Sequence, residues 1–185
     1  MSDIKNWRWE KSTERVSPAD KDFGQAARDI CDKSLNEAKE QLHPLLRNVD
    51  MERLVQRNDF LQAFKSALER RIARKLATWQ PGVQAVFKFD ETPMESLERW
   101  DGSIHLLVKV PRLSNTVKAL GKTLDKVLVR RLKQLGLPHF EKRQSVLDVQ
   151  QVTPNELRHG VGYGGMFWAV YTVPVKVWSR DKVTR

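Results

Sequence analysis

Apolar positions recur along this chain with two different periods, and the change of period divides it. Phe23, Ala27, Ile30, Ser34 and Ala38 follow one another at helical spacing, and so do Leu61, Phe64, Leu68, Ile72, Leu76 and Trp79. Small or apolar residues three and four apart share one side of an α-helix, so each run predicts an amphipathic helix. Ser17-Pro18-Ala19-Asp20 has the chemistry of a helix start: a capping hydroxyl, a proline at the first helical position and an acid in the first turn. Pro44 stops that helix. Asp50 opens a short helix, Asn58 or Asp59 restarts it, and Pro81-Gly82 closes the second stripe.

After Gly82 the period drops to two. Val83, Ala85, Phe87 and Phe89 alternate with Gln84, Val86 and Lys88, and Ile104, Leu106, Val108 and Val110 alternate with Ser103, His105, Leu107 and Lys109. Both runs predict half-buried strands. A third strand is predicted near Gln144 to Val152 and a fourth near Phe167 to Val177, where Pro174 points to an edge position or a bulge. Helical spacing returns between the second and third strands. Leu113, Val117, Leu120, Leu124, Val127, Leu128 and Leu135 fall on one side, with Leu132 at its edge, and Gly136 and Pro138 close the helix. The predicted fold class is therefore α+β. An N-terminal helical region precedes a β-β-α-β-β unit, a mostly antiparallel four-stranded sheet with a basic helix on one face. The expected division is an arm over 1–16, a helical region over 17–80 and a sheet region over 82–180, the last two forming one compact unit.

The charge layout gives this pattern its interest. Of the net charge of +10, the segment Lys109 to Arg143 carries ten cations against two anions, which is +8. Lys118, Lys122, Lys126, Arg130 and Lys133 occupy the polar side of the predicted helix, and Lys142 and Arg143 extend the patch. Like charges at i,i+4 repel by about 0.2–0.5 kcal/mol per pair, and Asp125 is the local relief. Arg131 projects into the apolar stripe. Its stem either packs there with the head escaping past the helix end, or it pairs with a carboxylate such as Asp148. The connector from Asp90 to Asp101 holds five acids against Arg99, a net −4, and can fold over the basic helix to neutralise it. Arg70, Arg71, Arg74 and Lys75 crowd the end of the second apolar stripe, where cations favour the helix dipole.

Three readings of the basic helix follow. It meets an anionic partner, RNA first and an acidic protein surface next; or the acidic connector covers it; or it is a solvated face. Concentration of +8 in one segment favours a non-enzymatic binding or accessory protein, with no cofactor called for. An assembly chaperone is a further class, marked by an exposed apolar groove beside the stripe. No stacking aromatics are interleaved with these cations, so sequence-specific recognition is not indicated.

The other candidate chemistry is weaker. Gly160 to Gly165 is rich in glycine but is followed by an aromatic segment rather than a helix with Lys-Ser or Lys-Thr, so it reads as a flexible hairpin connection, not a phosphate cradle. Arg158, His159 and Tyr163 beside it are the alternative: a pocket near 156–166 in a small enzyme or ligand-binding domain. Glu156 and His159 are three apart with no second such pair, which argues against a metal. Glu95 and Glu98 read as a solvated acidic face, and Trp7 and Trp9 as an arm docked on the body. Cys31 stands alone and reads as core filler. No apolar run reaches the roughly 18–20 residues of a membrane span, and Met1 to Trp9 shows no apolar export signal, so a cytoplasmic location is expected.

Overall fold

The computed structural model describes residues 22–42, 44, 49–89, 100–137, 140–169 and 173–180 of the 185. The arm with Trp7 and Trp9, the Ser17-Pro18 signal and the connector from Asp90 to Arg99 lie outside the described residues. Helix α1 is Phe23–Glu40, started by Asp22, whose Oδ1 accepts from the Gln25 amide at 2.7 Å. Helix α2 is the short Met51–Leu54 and α3 is Asn58–Trp79. Leu61, Phe64, Leu68, Ile72 and Leu76 of the predicted α3 stripe are buried and Trp79 is partly so, and Phe60, Ala67, Ala73 and Ala77 widen it. Its last turn carries no cation, so the macrodipole, which acts within one turn, does not account for Arg74 and Lys75.

Strands β1 (Ala85–Lys88) and β2 (Ile104–Lys109) pair antiparallel. Helix α4, Asn115–Gln134, then carries the chain across, and β3 (Leu147–Val152) lies parallel to β2. Strand β4 (Val175–Ser179) returns to the far edge beside β1, antiparallel and with a register shift at Val86/Phe87. The order is β3-β2-β1-β4, a mixed sheet in which two of the three pairs are antiparallel. A helix between β2 and β3 is what a parallel pair requires, because a tight turn cannot join strands that run the same way.

Helices α1, α3 and α4 pack on one face of the sheet. Val86, Leu106, Val108, Ile104 and Leu147 share one core cluster with Phe64, Leu68, Ile72, Leu120, Leu124 and Leu128. Lys88 points to this side too, and Glu69 of α3, itself only 2% exposed, meets its ammonium at 3.4 Å and that of Lys65 at 3.8 Å. A carboxylate so buried requires such partners. Cys31 belongs to the same cluster, and burial, with the neighbouring Asp32 adding to it and Arg131 opposing, pushes its thiol up to about 12.

The strands, expected to be half-buried, are covered on the opposite face as well. Ala85, Phe87, Phe89, Leu107 and Val152 form a second cluster there, against Leu157, Met166 and Phe167. The covering segment is not the hairpin and long strand expected from the sequence. It is helix α5 (Pro154–His159) followed by a 3₁₀ turn over Gly162–Trp168, and β4 begins only at Val175. Thr153 and Glu156 form a reciprocal capping box with Pro154 in the first turn, which nucleates α5. Gly160 ends it at φ +63°, and the carbonyl of Glu156 lies 2.0 Å from where a Cβ on Gly164 would sit, so the 3₁₀ turn closes down on α5 only with glycine there.

Gly121 of α4 faces Val149 of β3, and a Cβ on Gly121 would come 2.9 Å from the Val149 Cβ. Gly121→Ala gains up to about 1 kcal/mol of helix propensity but overpacks this contact by about 1–3 kcal/mol. The expected net is a loss of about 1 kcal/mol in urea unfolding, part of which Val149→Ala restores in the double variant. A simple stabilisation by Gly121→Ala would show that α4 does not press on β3 at this point.

Candidate functional site

Helix α4 starts where Ser114 stops being extended: its hydroxyl accepts from the Thr116 amide at 3.2 Å, and the Ser114 amide is itself held by Gln151 Oε1 at 2.8 Å. Val117, Leu120, Gly121, Leu124, Leu128, Val129 and Leu132 are buried. The buried side differs from the predicted stripe at several positions: Gly121 and Val129 join it, and Val127 is only partly covered. Leu113 precedes the helix and is 64% exposed, while Leu132, placed at the edge, is fully covered. The remaining side of the helix faces solvent. Lys118, Lys122, Lys126, Arg130 and Lys133 are exposed, as is Lys142 beyond the helix. None of these six makes an ion pair with another described residue.

Three groups that would have altered this stripe are engaged elsewhere. Asp125 turns toward β3, and its Oδ1 accepts from the amides of Val146 and Leu147, both at 2.8 Å. Arg131 makes the ion pair considered for it, but with Asp32 of α1 and not Asp148. Its Nη2 lies 2.6 Å and its Nε 3.1 Å from Asp32 Oδ1. Asp148 sits one residue out of phase with Leu147 and Val149, on the sheet face away from α4, where it meets Gln150 at 2.8 Å and the His105 ring at 3.8 Å.

Arg143 is the third. It was placed in the open patch, and the structure corrects this: its Nη2 lies 2.6 Å from Asp101 Oδ2 and also donates to the Asp101 carbonyl, while Nη1 reaches Ser103 Oγ at 2.9 Å. The turn responsible is Asp101-Gly102, with Gly102 at φ +96° beneath Phe140 and Arg143. Partial burial pushes the Asp101 carboxyl up. The Ser103 amide and hydroxyl and the Arg143 guanidinium outweigh that and hold it below its ordinary range.

The alternative pocket divides. Arg158 and His159 are exposed on α5. A cavity of about 360 Å³ does reach this segment, but it opens beside the start of α4 and the free edge of β3. Its lining includes Leu113, Ser114, Lys118, Gln150, Gln151, Glu156 and Tyr163, and neither Arg158 nor His159. Glu156 serves the start of α5: its Oε2 accepts from the Thr153 amide at 2.7 Å and hydroxyl at 2.9 Å. Tyr163, assigned to the rival site, thus lines the same cavity as Lys118, at one end of the cationic stripe. No spacing rule could reveal this, because 45 residues, including strand β3 and helix α5, separate them. Trp168 is 70% exposed on the same segment, its indole N–H donating to the Leu157 carbonyl at 3.2 Å.

Glu95 and Glu98 lie outside the described residues, so only Asp101 of the acidic connector is placed, and it meets Arg143 rather than a lysine of α4. No helix among the described residues is long and apolar enough to cross a membrane. Compared with protein-family models, curated proteins and solved structures, the chain matches none.

The Asp101–Arg143 pair gives a pH signature. A carboxyl held below its unfolded value stabilises the fold above that value, near 3.8, and the contribution fades as pH falls through the folded value. Arg143→Gln is expected to shrink the difference in urea midpoint between about pH 6 and pH 2.5. An unchanged difference would show that the pair adds nothing to stability.

Proposed function

We propose that this chain is a non-enzymatic RNA-binding or accessory protein that holds single-stranded RNA along α4 by charge. The observation that carries the reading is the row Lys118, Lys122, Lys126 and Arg130, with Lys133 beside it, exposed and without ion pairs to other described residues. Residues four apart on a helix rise about 6 Å, so the row is a regular ladder of cations about 18 Å long. Phosphates on a flexible strand meet such a ladder and release condensed counterions, which makes binding favourable and salt-dependent.

Tyr163 adds a second kind of contact. Tyr163 lines the cavity that Lys118 also lines, where a base can stack at the end of the ladder. A cationic track joined to an aromatic platform fits a single strand better than a duplex, whose bases are already stacked. It also favours RNA over an acidic protein surface, which would use the charge and leave the ring idle. Charge and stacking tolerate any sequence, so broad affinity is expected. The enzymatic reading of 156–166 has less support, since Arg158 and His159 stand apart from the cavity that Tyr163 lines.

For the double variant Lys122→Glu/Lys126→Glu, the expected result is at least tenfold weaker binding of an oligoribonucleotide at low salt. The slope of log K against log salt should flatten by about 1.4, at about 0.7 per lost phosphate contact. Thermal stability should stay within about 0.5 kcal/mol, because both side chains are on the surface. Tyr163→Ala should cost about 1–3 kcal/mol of binding with the salt slope unchanged. If the charge-reversed variant still binds RNA as the parent does at low salt, the reading fails.

A further inference from the structure

A second set of cations lies away from α4, between α1 and α3. A groove of about 200 Å³ runs there, and four of its lining residues are Lys33 of α1 and Arg71, Arg74 and Lys75 of α3, against one carboxylate, Asp29. Asp29 accepts from Gln25 Nε2 at 2.9 Å. The nearby Glu37 is already engaged by two guanidiniums, Arg70 and Arg71, the second at 2.7 Å. Lys33 and Arg74 have no ion pair with another described residue. Lys75 is steadied by the Trp79 ring, 5.3 Å from its ammonium. The groove therefore presents more positive charge than the surrounding carboxylates meet.

Arg71 supplies an independent sign. One of its nitrogens binds Glu37, yet its Nε is buried and makes no hydrogen bond. A buried guanidinium N–H without an acceptor is costly, so Arg71 is not fully satisfied by the neighbouring groups of the described residues. Helix dipole does not explain the cluster, as Arg74 and Lys75 precede the last turn of α3.

We propose that this groove binds the phosphate or diphosphate group of a small ligand. Its volume is below the roughly 300–1,000 Å³ of pockets that enclose drug-sized molecules, so the anionic group itself is what it can hold. Arginine meets phosphate oxygens with paired N–H groups and lysine meets them as a point charge, and the groove offers both. The site uses none of the α4 cations, so it stands whether or not α4 binds RNA.

The test is a thermal melt of the full chain with pyrophosphate at low ionic strength, with titration calorimetry for affinity. Pyrophosphate at about tenfold over its Kd should raise the midpoint by about 3 °C. Lys33→Gln/Arg74→Gln should weaken binding by about tenfold or more, while Lys122→Gln/Lys126→Gln should leave it unchanged. Both altered side chains are exposed, the melt without ligand checks the fold, and Lys33→Gln alone gives a milder variant with a proportionate loss. Three results would overturn the proposal. One is no rise with pyrophosphate. Another is an equal rise in the double variant, which would mark a general salt effect. The third is loss of oligoribonucleotide binding by Lys33→Gln/Arg74→Gln with pyrophosphate binding intact, which would make the groove part of an RNA track.

Discussion

The approach of α4 to β3 at Gly121 and Val149 decides which side of the helix meets water. With Gly121 turned inward there is room for Val149 and for no Cβ. Val117, Leu120, Leu124 and Leu128 are then carried into the core, and Lys118, Lys122, Lys126 and Arg130 are carried out of it. Two polar contacts hold the same rotation: Asp125 on the amides that open β3, and Arg131 on Asp32 of α1. The magnitudes agree with this order of causes. Repulsion between successive lysines costs a few tenths of a kcal/mol per pair, whereas each buried leucine contributes about 1.5–3 kcal/mol. Packing sets the helix, and the cations are left where packing puts them.

The second face of the sheet is closed by a different device. Thr153 and Glu156 cap α5, and Gly160 and Gly164 let the chain fold back as a 3₁₀ turn. Phe167 then packs against Phe87, ring centroids 4.9 Å apart. The same return brings Tyr163 around the free edge of β3 to the start of α4. Strand β4 is placed last, on the outer edge of β1. Arg180 ties its end to Ala77 of α3 and to Val83 before β1, donating to their carbonyls at 3.2 and 3.0 Å.

Charge is sorted by element as well as by residue type. Arg70 and Arg71 meet Glu37, Arg131 meets Asp32, and Arg143 meets Asp101, so arginines supply most of the pairs that join separate elements. Their planar fork suits a carboxylate held by a neighbouring helix or turn. The lysines of α4 have no such neighbour among the described residues. The excess positive charge therefore gathers in two places, along α4 and in the α1–α3 groove, and the arginine pairs do not reduce either one fully.

Local pattern determined helices α1 to α4, the first three strands and the basic side of α4. Each of these depends on residues within one or two turns, which adjacency along the chain already places together. The glycine-rich segment misled because its apolar alternation suits a strand, while the Thr153–Glu156 box ahead of it and the carbonyl under Gly164 favour a turn that only folding assembles. Of the two readings of Arg131 the ion pair holds, but with Asp32 and not the candidate Asp148, because that choice depends on which face of β3 meets α4 and on α1 lying alongside. Arg143 left the open patch, and Tyr163 joined its end, for the same reason. Sequence alone settled which side chains are cationic and which stripe is apolar. Tertiary structure decided which charges are matched, because a counter-charge acts over a few ångströms of space and the chain separates those partners by dozens of residues.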